Sequence, residues 1–278
     1  GGGGGHGGKG GDGGGSPTLG GYPYDSLAAP VLAGSGGGCG NTGYYGYFPG
    51  AGGGAVRIDA GAATIHGTIT ANGEPCPDQF SGAGAGGSVY ITCRTLSGTS
   101  GVITANGGAS AAAYNQNGNG GEGGGGRIAV IYDPAEQAAL PVPNIIFRVA
   151  GGRTNARNIG DLGTLYFPDS RLLSADTINN FSGQMAWLDA WSADNVTLTN
   201  GWIRFAKDGF SLTITNNLTV KGSTTRLDLG GDSYLVSYQA ASGVGYPIVS
   251  NTPSRYVYNG GTSGVSLHVG KDLVVTNA

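Results

Sequence analysis

The chain has 278 residues, of which only 11% are charged, with 14 Lys and Arg against 17 Asp and Glu and a formal net charge of −3. Ordinary soluble domains carry about 25% charged residues. Nucleic-acid binding needs a basic patch, whereas the cations here are scattered singly, and no stretch approaches the roughly 18 unbroken apolar residues of a membrane-spanning helix.

The first segment, GGGGGHGGKGGDGGG, repeats X-Gly-Gly, with His6, Lys9 and Asp12 on a three-residue beat. Three residues per turn is the period of the polyproline-II helix, not of an α-helix or a strand. The spacing therefore predicts ordered glycine helices rather than a linker, with His6, Lys9 and Asp12 along one edge. Such a helix has no internal hydrogen bonds and needs neighbours to satisfy its backbone. Gly34, Gly37, Gly40, Gly43 and Gly46 keep the same beat further on, as do Gly118, Gly121 and Gly124. Phosphate-loop chemistry is excluded, because Lys9 is followed by Gly10 rather than by the Ser or Thr that would hold magnesium. A dinucleotide loop would need a preceding strand and a following helix. One degenerate Gly-Gly-x-Gly-x-Asp, Gly7 to Asp12, is no calcium-binding array.

Beyond the glycine run, apolar residues alternate as in half-buried strands: Val56 and Ile58, Val89 and Ile91, Ile128 and Val130. These strands repeat. AGGGAVRIDA (51–60) matches GAGGSVYITC (84–93), GEGGGGRIAVIY (121–132) starts a third copy, and TITANG (68–73) recurs as VITANG (102–107). The one helix candidate is Asp133-Pro-Ala-Glu-Gln-Ala-Ala-Leu140, with an N-cap followed by Pro. Residues 144–192 have no assignable architecture from pattern alone, and their aromatics, Trp187 and Trp191 among them, read as core or seam packing. Further on, Asn200-Gly201 and Asp208-Gly209 are hairpin signals that leave antiparallel pairing open. SLTITNNLTVKGS (211–223) then matches SLHVGKDLVVTNA (266–278), aligning Leu212 with Leu267, Ile214 with Val269, Leu218 with Leu273 and Val220 with Val275.

Repeats of this size imply an all-β parallel β-helix, or β-solenoid, with ordered polyglycine-II-like segments, because each unit must stack on its neighbours to bury its apolar face. Three regions follow: 1–133, glycine-rich with solenoid strands; 134–194, a connecting β segment; and 195–278, solenoid repeats. The GGGSVYIT, LSGTSGVITANGG and GGGGRIAVIY stretches resemble the glycine-rich β-helical repeats of large secreted bacterial surface proteins and filamentous adhesins. LTITNNLTVKGSTTRLDLGG is similar to autotransporter passenger repeats, and the glycine runs resemble the polyglycine-II bundles of some antifreeze proteins and phage tail-fibre tips. The resemblance covers roughly residues 50–133 and 195–278. It implies a passive role outside the cell or at its surface and carries no catalytic residue across.

A polysaccharide-degrading enzyme would need carboxylates converging on a groove. The pairs Arg57/Asp59 and Arg226/Asp228 instead read as exposed decoration, with His66 outward and His6 and His268 remote. No Cys/His spacing suggests zinc, no Gly-x-Ser-x-Gly elbow is present, and no cofactor is expected. Cys93 aligns with Ala60 as an inward thiol. Cys39 and Cys76 lie in loops where an oxidising setting would let them pair, with Cys76–Cys93 as the alternative. Asn180, Asn195 and Asn217 head sequons. The chain opens at Gly1 with neither Met nor signal peptide and closes on an internal repeat without a polar cap. The expectation is a structural subunit of an extracellular filament. Leu267, Val269, Leu273 and Val275 of one copy would meet the glycine-rich region of the next, including Gly10 and Gly13; a trimmed longer chain would explain the same ends. The partners are identical subunits, with surface glycans if the protein is instead an adhesin or a carbohydrate-binding module.

Overall fold

A computed structural model describes residues 1–14, 18–40, 48–78, 80–111, 120–153, 158–174, 176, 178–230 and 266–276. Gly43, Gly46, Gly118 and Ala278 lie outside the described residues. The strands come in successive tiers. β1 (Ala55–Asp59), β2 (Ala62–Thr64) and β3 (Thr68–Thr70) are followed by β4 (Ser88–Thr92), β5 (Thr95–Ser97) and β6 (Gly101–Thr104). Next come β7 (Arg127–Ile131), the helix α1 (Pro134–Ala138) and β8 (Ile145–Arg148), then β9 (Thr164–Tyr166) and β10 (Ser182–Met185). β11 (Ala190–Ala193), β12 (Val196–Leu198) and β13 (Trp202–Phe205) precede β14 (Ser211–Ile214), β15 (Leu218–Lys221) and β16 (Arg226–Leu229). β17 (Ser266–Val269) and β18 (Leu273–Thr276) close the described chain.

The fold is all-β, but the expectation of a β-helix is corrected. In a regular β-helix each side of the coil keeps its own sheet along the whole length. Here the β1-β4-β7-β9 arm and the β3-β6-β8 arm both run into β10, giving one ten-stranded sheet that curls into a half-barrel. The merger is local: β10 meets β8 at Ser182↔Arg148 and β9 at Gln184↔Thr164, then continues through β13 to β16. Three small sheets, β11-β14-β17, β12-β15-β18 and β2-β5, complete the structure. The pairing of repeated strands is parallel, with Val56 opposite Val89 and Val89 opposite Ile128. Neither Asn200-Gly201 nor Asp208-Gly209 makes a hairpin, since β13 pairs with β10 and β16, and β14 with β11 and β17, all in parallel.

Inward residues fill the curl. Val89, Ile91, Leu96, Ile103, Ile128 and Val130 are fully buried, and each such side chain contributes about 1.5–3 kcal/mol on leaving water. The previously unplaced stretch supplies an aromatic plug. Phe147 packs edge-on to Phe167 and Phe181 with ring centroids 5.0 and 5.3 Å away. Trp191 is buried and stacks on Phe205, which stacks in turn on Phe210.

Helix α1 forms where its signals lie. The Asp133 side chain accepts hydrogen bonds from Ala135 and Glu136 N–H, and Pro134 occupies the first turn. Its function in the fold is carried by Gln137, which is fully buried. The Gln137 amide accepts from Leu96 N–H at 2.7 Å and donates to Leu96 C=O at 3.0 Å, so one side chain stands where a strand would otherwise pair with β5. Gln137→Leu should therefore strand two buried backbone groups and cost about 3 kcal/mol. Urea denaturation measures it, and a loss below about 1 kcal/mol would mean that water or another group replaces the amide.

The glycine-rich runs lie outside every strand and are hydrogen-bonded to one another. Gly3 N–H donates to Gly11 C=O, Gly4 to Ala83, Gly10 to Gly21, Gly11 to Glu122 and Gly121 to Gly1, all at 2.7–2.9 Å. Among the described residues the positive-φ glycines are Gly98, Gly209, Gly222 and Gly230, none of them in these runs. The runs therefore use glycine for its missing Cβ rather than for its backbone freedom. The expected edge of His6, Lys9 and Asp12 is interrupted. His6 is fully buried, whereas Lys9 and Asp12 pair at 2.6 Å near the surface.

Candidate assembly surface and polar clusters

Two surfaces end the sheets among the described residues. In β11-β14-β17, Trp191, Leu212 and Leu267 are in register, as are Ala193, Ile214 and Val269. In β12-β15-β18, Val196, Leu218 and Leu273 align, as do Leu198, Val220 and Val275. Burial falls abruptly along these columns. Leu212 and Leu218 are 1% exposed, but Leu267, Leu273 and Val275 are 37%, 54% and 69% exposed. At the opposite surface, Val56 and Ile58 in β1 are only half-buried, although their partners Val89 and Ile91 are fully buried. Each outer tier thus repeats the inward pattern of the core with one side uncovered.

Gly10 and Gly13 are elsewhere. Gly10 is buried within the glycine lattice and Gly13 is bridged to Thr18, so neither sits at a sheet edge. The expected meeting of C-terminal strands with Gly10 is corrected on that ground. The Cys39–Cys76 disulfide is also corrected, because all three cysteines are thiols. Cys76 is buried and donates from Sγ to the Asp78 and Phe48 carbonyls, while Cys39 is exposed. Burial pushes the Cys76 and Cys93 thiols above their ordinary range.

Sequence reading missed two polar clusters. The first joins His6, Asp25 and Ser88. His6 Nε2 lies 3.5 Å from both the Asp25 carboxylate and Ser88 Oγ, and its Nδ1 faces Gly86 C=O at 2.9 Å. The residue types are those of a nucleophilic triad, but the arrangement is not. Acid and hydroxyl share one ring nitrogen, Ser88 is fully buried, and its hydroxyl donates to Leu32 C=O at 2.6 Å. The cluster instead ties three distant segments together. Asp25 holds a left-handed backbone (φ 72°) and accepts from Ser26, Val31 and Leu32 N–H at 2.7–2.8 Å.

Burial works to raise the Asp25 pKa, but the hydrogen bonds from His6 and those backbone groups win and hold it down at about 2. A carboxyl depressed in the fold contributes stability above its unfolded value near 4 and loses it as pH falls toward 2. Asp25→Asn tolerates the same backbone conformation but removes the charge. The stability gap between wild type and variant should be roughly 1–2 kcal/mol at pH 6, allowing for partial solvent screening, and should close by about pH 2. Denaturant titrations at both ends of that window measure it; a gap independent of pH would rule out the ionised role.

The second cluster lies on the outer face of the large sheet, where Gln184, Arg204 and Asp228 are in one row and Ser182, Trp202 and Arg226 in the next. Asp228 accepts from Trp202 Nε1 at 2.8 Å, Arg204 at 3.4 Å and Arg226 at 3.0 Å. Arg204 also donates to Asp161 at 2.9 Å and Gln184 at 3.3 Å. Arg153 and Arg226 lie 4.3 and 4.7 Å from the centre of the Trp202 ring. Burial and then the neighbouring Arg226 lower the Arg153 pKa. The Arg226/Asp228 pair is therefore part of a network rather than a surface ornament. Arg57 and Asp59, by contrast, form an exposed pair at 2.9 Å, and His66 is exposed against Thr99. Alternation could have exposed Trp202 as an outward aromatic, but nothing local links it to Arg153 or Asp161.

Among the described residues no three His, Cys, Asp or Glu side chains converge as metal ligands, and no helix is long and apolar enough to cross a membrane. Comparison with protein families, with characterised proteins and with solved structures finds no match to this chain.

Proposed function

We propose that this protein is a structural subunit of an extracellular filament, assembled head-to-tail through its two outer tiers. One observation carries the reading: positions buried inside each column are half-buried on β1 and mostly exposed on β17 and β18, strands paired along one side only among the described residues. Open strand edges recruit further strands. Joining two different edges is a heterologous contact, which propagates into an open polymer when the rotation does not close. The low charge and high glycine content favour a place outside the cell. Leu273→Glu combined with Val275→Glu should leave the thermal transition of the subunit within a few degrees while abolishing polymers in sedimentation and negative-stain electron microscopy. Wild-type protein that stays monomeric at high concentration would overturn the proposal.

A second reading, a module binding acidic surface glycans, is favoured by the exposed Arg153 and the partly exposed Arg226 beside Trp202. Retention on an acidic-glycan surface that Arg153→Ala abolishes would support it.

A further inference from the structure

Resting on the assembly reading, we infer that successive copies join in one register, with β17 of one copy beside β1 of the next, Leu267 opposite Val56 and Val269 opposite Ile58. The hydrogen-bonding groups of the two edges fix the parity of this pairing, and of the registers with that parity this one sets both apolar residues of β17 opposite both of β1. Successive residues of a strand direct their backbone groups to alternate neighbours. Gly270 N–H donates inward to Ile214 C=O, so Ser266 and His268 share that inward side and the groups of Leu267 and Val269 point outward. At the other edge, Ala60 N–H donates inward to Thr92 C=O, which places Val56 and Ile58 on the inward side and leaves Ala55, Arg57 and Asp59 pointing out.

Within the protein, the connection between tiers follows a single rule. Ser88 is opposite Ala55 and donates to Gly54 C=O, and Ala60 donates to Thr92 C=O, so each N–H reaches the carbonyl one residue before its opposite number. The same rule holds in the other small stack, where Ser211 is opposite Ala190 and donates to Asp189 C=O. With Leu267 opposite Val56, the rule sends Leu267 N–H to Ala55 C=O and Val269 N–H to Arg57 C=O. Arg57 N–H returns to Leu267 C=O, and Asp59 N–H to Val269 C=O. Every outward group on these edge residues that the rule reaches finds a partner. A slip of one residue would set outward groups against inward ones and turn Leu267 and Val269 away from the core.

Side chains at the corner show the same polarity. Asn195 Oδ1 accepts from Asn217 N–H at 3.3 Å, and Asn217 Oδ1 accepts from Asp272 N–H at 3.4 Å. Each corner side chain receives the N–H of the following tier. Asp272 is exposed and comes next in this series, which directs its carboxylate to the corner at residues 60–62 of the following copy. The occupant of the β17 edge is accordingly a second copy of this chain, presenting β1.

The register places His268 directly opposite Arg57 of the next copy, and both side chains are exposed in the subunit. The test is a chain carrying His268→Cys and Arg57→Cys, with Cys39→Ser to remove the exposed native thiol, polymerised and then treated with a short bis-maleimide. A ladder of covalent multimers on a denaturing gel is the expected result, with little or none from His268→Cys paired with Ala55→Cys or Asp59→Cys. Polymers that cross-link best through either alternative pair would overturn the register while leaving head-to-tail assembly intact. Polymers that none of these pairs links would show that β17 and β1 do not meet. Absence of polymers from wild-type protein would remove the assembly reading itself.

Discussion

Gly10→Val is expected to yield protein without a cooperative unfolding transition, whereas Lys9→Val, one residue away, should fold and melt within a few degrees of wild type. A Cβ at Gly10 would lie 2.2 Å from Gly3 O and 2.5 Å from Gly4 O, both rigid backbone atoms of the first half of the same run, which folds back beside it. That half cannot retreat without losing its own bonds to Gly11, Ala83 and Gly21. Overpacking by a methylene or two in an ordinary core costs about 1–3 kcal/mol; here a branched side chain must enter a gap narrower than one atom. The Lys9–Asp12 pair has an Asp12 side chain 53% exposed, and such pairs contribute less than about 1 kcal/mol. Gly13 is intermediate, since its nearest obstacle is the movable Thr18 hydroxyl at 2.2 Å, with Gly1 O behind it at 2.8 Å. Thermal melts followed by circular dichroism distinguish the three. Equal tolerance would mean that the runs are loosely packed.

The second large effect is expected at Arg204. Its side chain is only 11% exposed and holds Asp161 and Asp228 together. Removing one member of a desolvated ionic network strands the others, at a cost of about 3 kcal/mol. Arg204→Ala should lose roughly that much in urea denaturation, whereas Arg204→Ala with Asp161→Asn and Asp228→Asn should recover part of it. If the triple variant is no more stable than the single one, the loss comes from packing against Trp202 instead of from stranded charge.

How far the sequence discloses this fold depends on the range of each interaction. The register of β1, β4 and β7, the match of β14 with β17, and the cap of α1 were all legible, because they are written in alternation, repetition and a local N-cap. The course of the sheet through β10 was not. That strand, Ser182-Gly-Gln-Met185, lacks the alternation of its neighbours, and it is buried on both faces. Its Gln184 is fully buried and donates to Leu162 C=O at 2.7 Å, a polar core contact with no sequence signal. The clusters around His6 and Arg204 were hidden for a related reason: their members lie up to 82 residues apart and converge only once the sheet has curled. Of the residues expected at an assembly surface, Leu267, Leu273 and Val275 are exposed at a sheet edge and Val269 is half-buried there. The two glycines are not there, since a period of three says that a run packs closely but not against what.

The glycine lattice also determines when the chain can become ordered. Gly7 and Gly8 both donate to Gly125 C=O, Gly4 donates to Ala83, and Gly121 donates back to Gly1. Local bonds such as Gly3 to Gly11 and Gly10 to Gly21 satisfy only part of the first run, and the rest depends on residues made roughly 75–120 positions later. During synthesis it must wait as solvated coil until the third tier has emerged, because closing such long loops costs entropy that only the assembled neighbours repay. A segment translated well before its partners is thus among the last to order, and its amide hydrogens, once protected, should exchange with solvent only when the tiers beneath it come apart.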